Sequence, residues 1–258
     1  MARIVRYEDG GARFGELRGE EIVPLEGTFP DLRPSGHATI AKNSVRLLAP
    51  VAPSKIIAVG PNYRTSLKGG APPPRPYIWI KPGSVLLDPE GEIIYPSTDV
   101  PMVCHESELA IVIGKTARNV TKEDAPDHVF GYTCVNDVSV GDLTDMPKYL
   151  QSQHFVDGKI YDTFGPLGPV IVTDIDPHDL RIQCRINGET RQDHRTSDQI
   201  WRPAELIAYA SAVLTLRPGD VIATGSPPNP GPMNIGDVVE VEIEGIGVLR
   251  NRLVRAAA

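Results

Sequence analysis

The sequence predicts a mainly β protein of the α+β class, with a small β unit at the N-terminus and a larger domain behind it. Three observations carry this reading. Short runs rich in Val, Ile and Tyr recur from one end of the chain to the other. Its 25 prolines and 24 glycines follow no triplet period and fall between those runs, where they end strands rather than build a repeat. Against them stands one well-marked helix, residues 202–214, rich in Ala and with Pro203 in its first turn. A chain of 258 residues is long enough for one large domain and an appendage.

Residues 1–50 read as the small N-terminal β domain: runs at 4–7, 13–17 and 21–24, the first two joined by the turn Glu8-Asp9-Gly10-Gly11. Residues 51–258 read as the second domain. Val51-Ala52-Pro53-Ser54 interrupts the chain before 55–60, an apolar run that predicts a buried strand. Residues 61–76 are polar and rich in Gly and Pro, a composition that suits a mobile lid and a plain surface loop equally. Strands are predicted at 77–80 and, on either side of Asp88-Pro89-Glu90-Gly91, at 84–87 and 92–95, the acidic residues of that turn serving as turn formers. Two further β-branched runs, 105–114 and 129–135, precede a polar stretch, 143–155, that reads as helical. Asn187-Gly188 marks a hairpin between 181–187 and 189–192. Segments 220–227 and 236–247 give two more strands. The second alternates Val and Ile with Glu, so Glu240, Glu242 and Glu244 form a solvated face.

Within the run 105–114, two carboxylates stand where a core strand should have none. Side chains alternate along a strand, so Glu106 and Glu108 share a face with Ala110 and Val112, while Ser107, Leu109, Ile111 and Ile113 share the other. Two ionised carboxylates side by side against apolar faces repel each other and lose hydration, unless a cation sits between them. A solvated pair at a strand end is the plain alternative. Asp137, which follows the apolar run 129–135, supplies a third ligand, and three carboxylates with waters make an octahedral site. All-oxygen ligation favours a hard divalent cation, Mg²⁺ first, with Mn²⁺ or Ca²⁺ as alternatives.

The bulk numbers exclude other classes. A net charge of -7 argues against nucleic acid or an anionic membrane as partner. No apolar run reaches the roughly 18 residues that span a bilayer, and residues 1–7 lack the apolar core of a signal peptide, which predicts a cytoplasmic protein. Cys104, Cys134 and Cys184 lie far apart in apolar runs and read as reduced, buried thiols. The chain has no glycine-rich dinucleotide fingerprint, P-loop, zinc-binding helix motif or nucleophile elbow.

The order of several short motifs is more specific than any of them alone. It runs Ala58-Val59-Gly60-Pro61-Asn62-Tyr63-Arg64, Lys81-Pro82, Glu106-Ser107-Glu108-Leu109-Ala110-Ile111-Val112-Ile113-Gly114-Lys115, Asn136-Asp137-Val138-Ser139 and Gly158-Lys159-Ile160-Tyr161-Asp162. Asn187-Gly188, Thr196-Ser197-Asp198 and Asp220-Val221-Ile222-Ala223-Thr224-Gly225-Ser226-Pro227 follow. From about residue 55 to 252 the chain resembles the fumarylacetoacetate hydrolase family.

The resemblance implies a mixed β-roll/β-sandwich core, a homodimer, and Mg²⁺ or Mn²⁺ held by Glu106, Glu108 and Asp137. It makes Lys159 the active-site lysine and Thr224, Gly225 and Ser226 the loop that meets the substrate. Tyr63, Arg64 and Lys81 fall in family motifs and are expected to bind the substrate, a small 2-oxo acid. Ser66 and Gly69 stand where the family carries a water-activating His and Glu, and Gly141 and Thr144 replace an Arg and a Gln. His154 is the leading substitute base, whereas His105, facing away from Glu106, reads as structural. The expected function is metal-dependent C–C bond cleavage, as hydrolase or decarboxylase, of a 2-oxo or β-diketo acid such as an acylpyruvate. The alternatives are enol–keto tautomerisation of a 2-oxo acid and a repurposed, non-catalytic member.

Overall fold

The structure is a computed structural model that describes residues 1–96, 100–143, 151–152 and 154–256. The chain opens as an antiparallel meander of β1 (Arg3–Glu8), β2 (Ala12–Arg18), β3 (Glu21–Thr28) and β4 (Asp31–Pro34), onto which β5 (Ile40–Ala41) and β6 (Leu47–Leu48) fold back. Then follow β7 (Lys55–Gly60), β8 (Tyr77–Pro82), β9 (Leu86–Leu87), β10 (Glu92–Tyr95), β11 (Val103–His105), β12 (Ser107–Ile113), β13 (Val129–Asn136) and β14 (Ser139–Val140). The short helix α1 (His154–Asp157) leads to β15 (Gly165–Val172), β16 (Arg181–Ile186), β17 (Glu189–Arg195) and the helix α2 (Pro203–Val213). The chain closes with β18 (Val221–Ala223), β19 (Gly231–Met233), β20 (Val238–Ile243) and β21 (Gly247–Arg255).

One large sheet runs β4-β3-β2-β1-β15-β13-β12-β18-β7-β8, a second β10-β21-β20-β16-β17, and a small third β14-β11-β19. β12 lies near the centre and every one of its residues is buried. Its two faces enter different cores. Leu109, Ile111 and Ile113 pack with Val241, Ile243 and Leu249 of the second sheet and with Leu206, Ile207 and Ala210 of α2. Ala110 and Val112 pack on the other face with Ile56, Leu167, Val221 and Ala223. Burying each large apolar side chain stabilises the fold by about 1.5–3 kcal/mol, so a strand that does this on both faces is held rigidly. The mixed roll-and-sandwich architecture implied by the sequence is the one observed.

Local chemistry explains the joints. Gly10 and Gly11 both have positive φ (60° and 130°), which closes the first hairpin, and Asn187 and Gly188 (51° and 82°) close the hairpin of β16 and β17. The Arg202 backbone N–H donates to the Glu205 carboxylate at 2.8 Å, capping α2. Cys104, Cys134 and Cys184 are free thiols and buried. No helix among the described residues is long and apolar enough to cross a membrane.

Several elements differ from expectation. Residues 86–87 and 92–95 do not pair with each other: β9 runs parallel to β15 and β10 parallel to β21. Asp88 between them is therefore more than a turn former. Its carboxylate accepts from the Ala49 backbone at 2.8 Å and from Arg46 at 2.8 Å, tying the turn to the end of the N-terminal meander. The strands β15 and β21 are additional to those expected. Of the helical stretch expected at 143–155, helix is described only from His154 onward; residues 144–150 and 153, Thr144 among them, lie outside the described residues.

Candidate metal centre and its cavity

The break between β11 and β12 builds the site. Glu106 occupies the break, where its backbone N–H donates to the Asn136 side chain at 2.9 Å and its carbonyl accepts from the Asp137 N–H at 3.0 Å. Ser107 pairs with Asn136 in the β12–β13 ladder, so the next residues outward, Glu106 and Asp137, lie opposite each other. Glu108, two residues along β12, emerges on the same face as Glu106. One carboxylate oxygen from each of Glu106, Glu108 and Asp137 lies within 4.8 Å of the others.

Two ammonium groups meet this cluster. The Lys159 Nζ donates to Glu106 at 2.7 Å, to Asp137 at 2.5 Å and to the Ser139 hydroxyl at 2.9 Å, and it stands 5.6 Å from the centre of the Trp79 ring. Lys81, fully buried, donates to the other oxygen of Asp137 and to the Val138 carbonyl at 3.1 Å. Glu108 has neither lysine. One of its oxygens accepts from the Gly225 backbone N–H at 2.7 Å; the other, Oε1, is buried with no hydrogen-bond partner. Gly225 is required there: at φ +99° a Cβ would lie 2.6 Å from the Cβ of Asn62, whose own amide fixes Thr224 and Trp201.

Burial pushes Glu108 well above the ordinary carboxylate range, and the charges of Asp137 and Glu106 push it further. Burial also raises Glu106 in spite of Lys159. Asp137 goes the other way: burial opposes its charge, but Lys159 and Lys81 outweigh that and hold it below its usual value. Three carboxylates against two ammoniums leave one formal negative charge in a buried place. An orphaned carboxylate oxygen, uncompensated charge and a donor set made wholly of oxygen fit a hard divalent cation held by Glu106, Glu108 and Asp137.

This arrangement sets a pH dependence. Cation binding needs Glu108 ionised, so a proton competes for the site until pH passes the raised value. In the cation-free fold the raised value is a stability cost that begins above the ordinary carboxylate range and grows until the raised value is reached; a bound cation reverses it. Calorimetric affinity for Mg²⁺ or Mn²⁺ should therefore rise with pH across the window that opens above the ordinary carboxylate range, with proton release that varies with buffer ionisation enthalpy. A flat affinity across that window would contradict the assignment.

A cavity of about 540 Å³ opens beside the cluster. Glu106, Lys159, Trp79, Ser66, Lys68 and Ser226 are on its wall, with Leu143 and the run from Pro227 to Pro230. Several residues expected to bind substrate stand elsewhere. Lys81 is behind Asp137. Tyr63 is fully buried and forms a bridge with Gln199, and Arg64 donates to the carbonyls of Asp198 and Gln199, at 3.2 and 2.6 Å. The Thr224 hydroxyl donates to the Leu109 carbonyl at 2.9 Å. None of these four is among the residues that line the cavity, whereas Ser226 lines it and Gly225 donates its backbone N–H to Glu108. His154 is not on the cavity wall; its Nδ1 is 3.4 Å from Asp157. His105 is buried with its Nδ1 3.2 Å from the Cys184 sulfur, and burial pushes it down to about 4, so it stays neutral in a structural place. Ser66 does line the cavity, while Gly69 has φ +85° and open space where a Cβ would stand.

Trp79 and Ser139 are the site residues that the sequence reading missed. A signal existed for the first: on β8 it shares a face with Lys81, two residues on.

The fold and site together define a mainly β protein with a buried cluster of three carboxylates, able to hold a divalent cation, beside a cavity of about 540 Å³. Residues 55–254 match the family described as fumarylacetoacetate (FAA) hydrolase C-terminal, and residues 2–50 match the one described as Rv2993c-like, N-terminal. The chain belongs to the fumarylacetoacetate hydrolase family. It is 41% identical over 233 residues to a mitochondrial oxaloacetate tautomerase of Xenopus laevis, an alignment that covers 85% of this chain and 72% of that one. Its structure is similar to that of 5-carboxymethyl-2-hydroxymuconate delta-isomerase from Mycobacterium smegmatis, with TM-score 0.89, 38% identity and coverage of 98% and 99%. It is also similar to maleylpyruvate hydrolase from Sphingobium sp. SYK-6 in complex with manganese(II) ion and pyruvate, with TM-score 0.79, 34% identity and coverage of 99% and 100%.

Proposed function

We propose that this chain is a divalent-metal-dependent enzyme that interconverts the enol and keto forms of a small 2-oxo acid. Among the described residues, the ionisable groups on the cavity wall are Glu106, Lys159 and Lys68, with no imidazole. That observation carries the reading. Tautomerisation needs one group that gives and takes a proton; hydrolysis also needs a water activated by the metal or by a second base, and the described wall offers no imidazole for the latter. The tautomerase and isomerase among the similar proteins support the same choice, and it reverses the order expected from sequence, where C–C cleavage stood first.

The cation, Mg²⁺ or Mn²⁺ held by Glu106, Glu108 and Asp137, would supply an electron sink for the substrate carboxylate and 2-oxo oxygens. Lys159 delivers a proton from Nζ to C3 of the enol and, as the amine, recovers the proton released by the enol oxygen. Ser139 holds Nζ in place from 2.9 Å. Ser226 orients the substrate tail, and Trp79, Leu143 and the prolines keep water away. The reading includes a homodimer acting in the cytoplasm, with neither nucleic acid nor membrane as partner, and a division of the chain near residue 50.

Cleavage of a C–C bond, by decarboxylation or by hydrolysis of an acylpyruvate, is the second reading, favoured by the similarity to maleylpyruvate hydrolase. The test is to follow oxaloacetate and an acylpyruvate by NMR in D₂O with Mg²⁺ or Mn²⁺. Rapid metal-dependent enol loss with deuterium entering C3 is expected, with little pyruvate or carbon dioxide. Fast cleavage without accelerated exchange at C3 would overturn the proposal. Ser66→His, which places an imidazole on the cavity wall, should raise acylpyruvate hydrolysis by about 10²-fold or more. The paired change Gly69→Glu is the less useful variant, because φ +85° strains any side chain there.

A further inference from the structure

Gln192 is the one buried side chain of β17, a strand otherwise exposed or half-buried. The ladder with β16 explains its inward direction. Cys184 faces Gln192 but Arg185 faces Thr190, so Arg191 is an extra residue; the bulge leaves Gln192 on the inner face beside Cys184 and turns Thr190 outward. That inner position holds an amide where a hydrophobe would pack.

All of the amide's capacity is used. Its Oε1 accepts from the Ser107 backbone N–H at 3.2 Å and the Ser107 hydroxyl at 2.8 Å. Its Nε2 donates to the Ser226 hydroxyl at 3.0 Å, the Pro227 carbonyl at 2.7 Å and the Pro228 carbonyl at 3.2 Å. A backbone N–H only donates and prolyl carbonyls only accept, which fixes the orientation of the amide. Its two ends therefore hold two different parts of the site. Ser107 separates Glu106 from Glu108, and Ser226, Pro227 and Pro228 form a wall of the cavity. Prolines have no N–H to join a ladder, so backbone pairing offers this wall little hold.

We propose that Gln192 is a positioning residue: it sets the distance between the proline wall and the carboxylate strand, and through that distance the affinity for the 2-oxo acid, while touching neither substrate nor cation. The inference rests on the cation and 2-oxo acid reading given above.

The test uses the full chain with two variants. Gln192→Leu removes all five hydrogen bonds. Gln192→Glu keeps an acceptor toward Ser107 and sets a carboxylate against the prolyl carbonyls, so it decides the matter should the leucine variant not fold. Calorimetry with Mn²⁺ alone, then with oxalate on the Mn²⁺-loaded protein, separates cation binding from ligand seating. The expected result is a Mn²⁺ affinity within about threefold of wild type and an oxalate affinity lowered at least about tenfold in both variants. Amide exchange should quicken at Ser226 and Asn229 while the interior of β12 stays protected. Unchanged oxalate affinity overturns the inference. So does loss of Mn²⁺ and oxalate binding in equal proportion, which marks general damage. Failure of wild type itself to bind Mn²⁺ overturns the cation reading, and the inference with it, before any variant is compared.

Discussion

Asp137→Ala should lower divalent-cation affinity and turnover at least about tenfold, and also lower stability by about 3–5 kcal/mol. The first effect follows from the loss of one of three ligands. The second follows from Lys81, whose ammonium is fully buried and would be left with the Val138 carbonyl alone. Burial already lowers the proton affinity of Lys81 against the pull of Asp137, and without that partner the lysine is held charged by very little. Glu242→Ala is the control. Glu242 is on the solvated face of β20 and pairs with Arg185, which keeps Glu240 at 2.9 Å; its loss should stay within about 0.5 kcal/mol and leave cation affinity unchanged. Titration calorimetry, thermal unfolding and turnover on both variants check the contrast. Small, equal effects would remove Asp137 from the site.

Lys159→Met should reduce enol–keto exchange by about 10²- to 10⁴-fold, the range typical of a positioned acid–base group. Cation affinity should hold or rise. In the absence of a cation the ammonium donates to Glu106 and Asp137 and so competes for two of the three ligands, and methionine removes the competitor while filling much the same space. Opposite movements of turnover and affinity would distinguish a proton carrier from a residue that merely neutralises the cluster. Exchange at C3 within about threefold of wild type would exclude Lys159 as the proton carrier.

The carboxylates were legible because physics forbids them where they stand: a charge against an apolar strand demands a partner, and both faces of β12 could be read from alternation. Depth was not legible. Lys81 and Trp79 share a face, and nothing in the spacing says that the lysine lies behind Asp137 while the tryptophan reaches the cavity. Tyr63, Arg64 and Thr224 sit inside motifs, and a motif contains the residues that hold its shape as well as those that meet a ligand. The missed strands have local causes. In β15, Gly165-Pro166-Leu167-Gly168-Pro169 reads as a loop, and the structure tolerates it because the ladder to β13 is irregular between Tyr132 and Cys134. In β21, the alternation of Leu249 and Leu253 with Arg250 and Arg252 is interrupted by Asn251, a buried amide that donates at 3.0 Å to the carbonyls of both Asp88 and Gly91.

The pairing of Arg3 and Ile4 with Val172 and Ile171 gives the N-terminal meander a further significance. β15 lies between β1 and β13, so β1 is the seal on one side of a strand at the heart of the large sheet. Stripped of residues 1–50, that side of β15 would present unpaired backbone groups and the apolar surface now covered by Ile4, Val5 and Tyr7, a template on which strands of other molecules add. The meander is thus expected to act as a stopper against edge-to-edge growth, so that removing residues 1–50 should lower solubility although the segment contributes nothing to the carboxylate cluster.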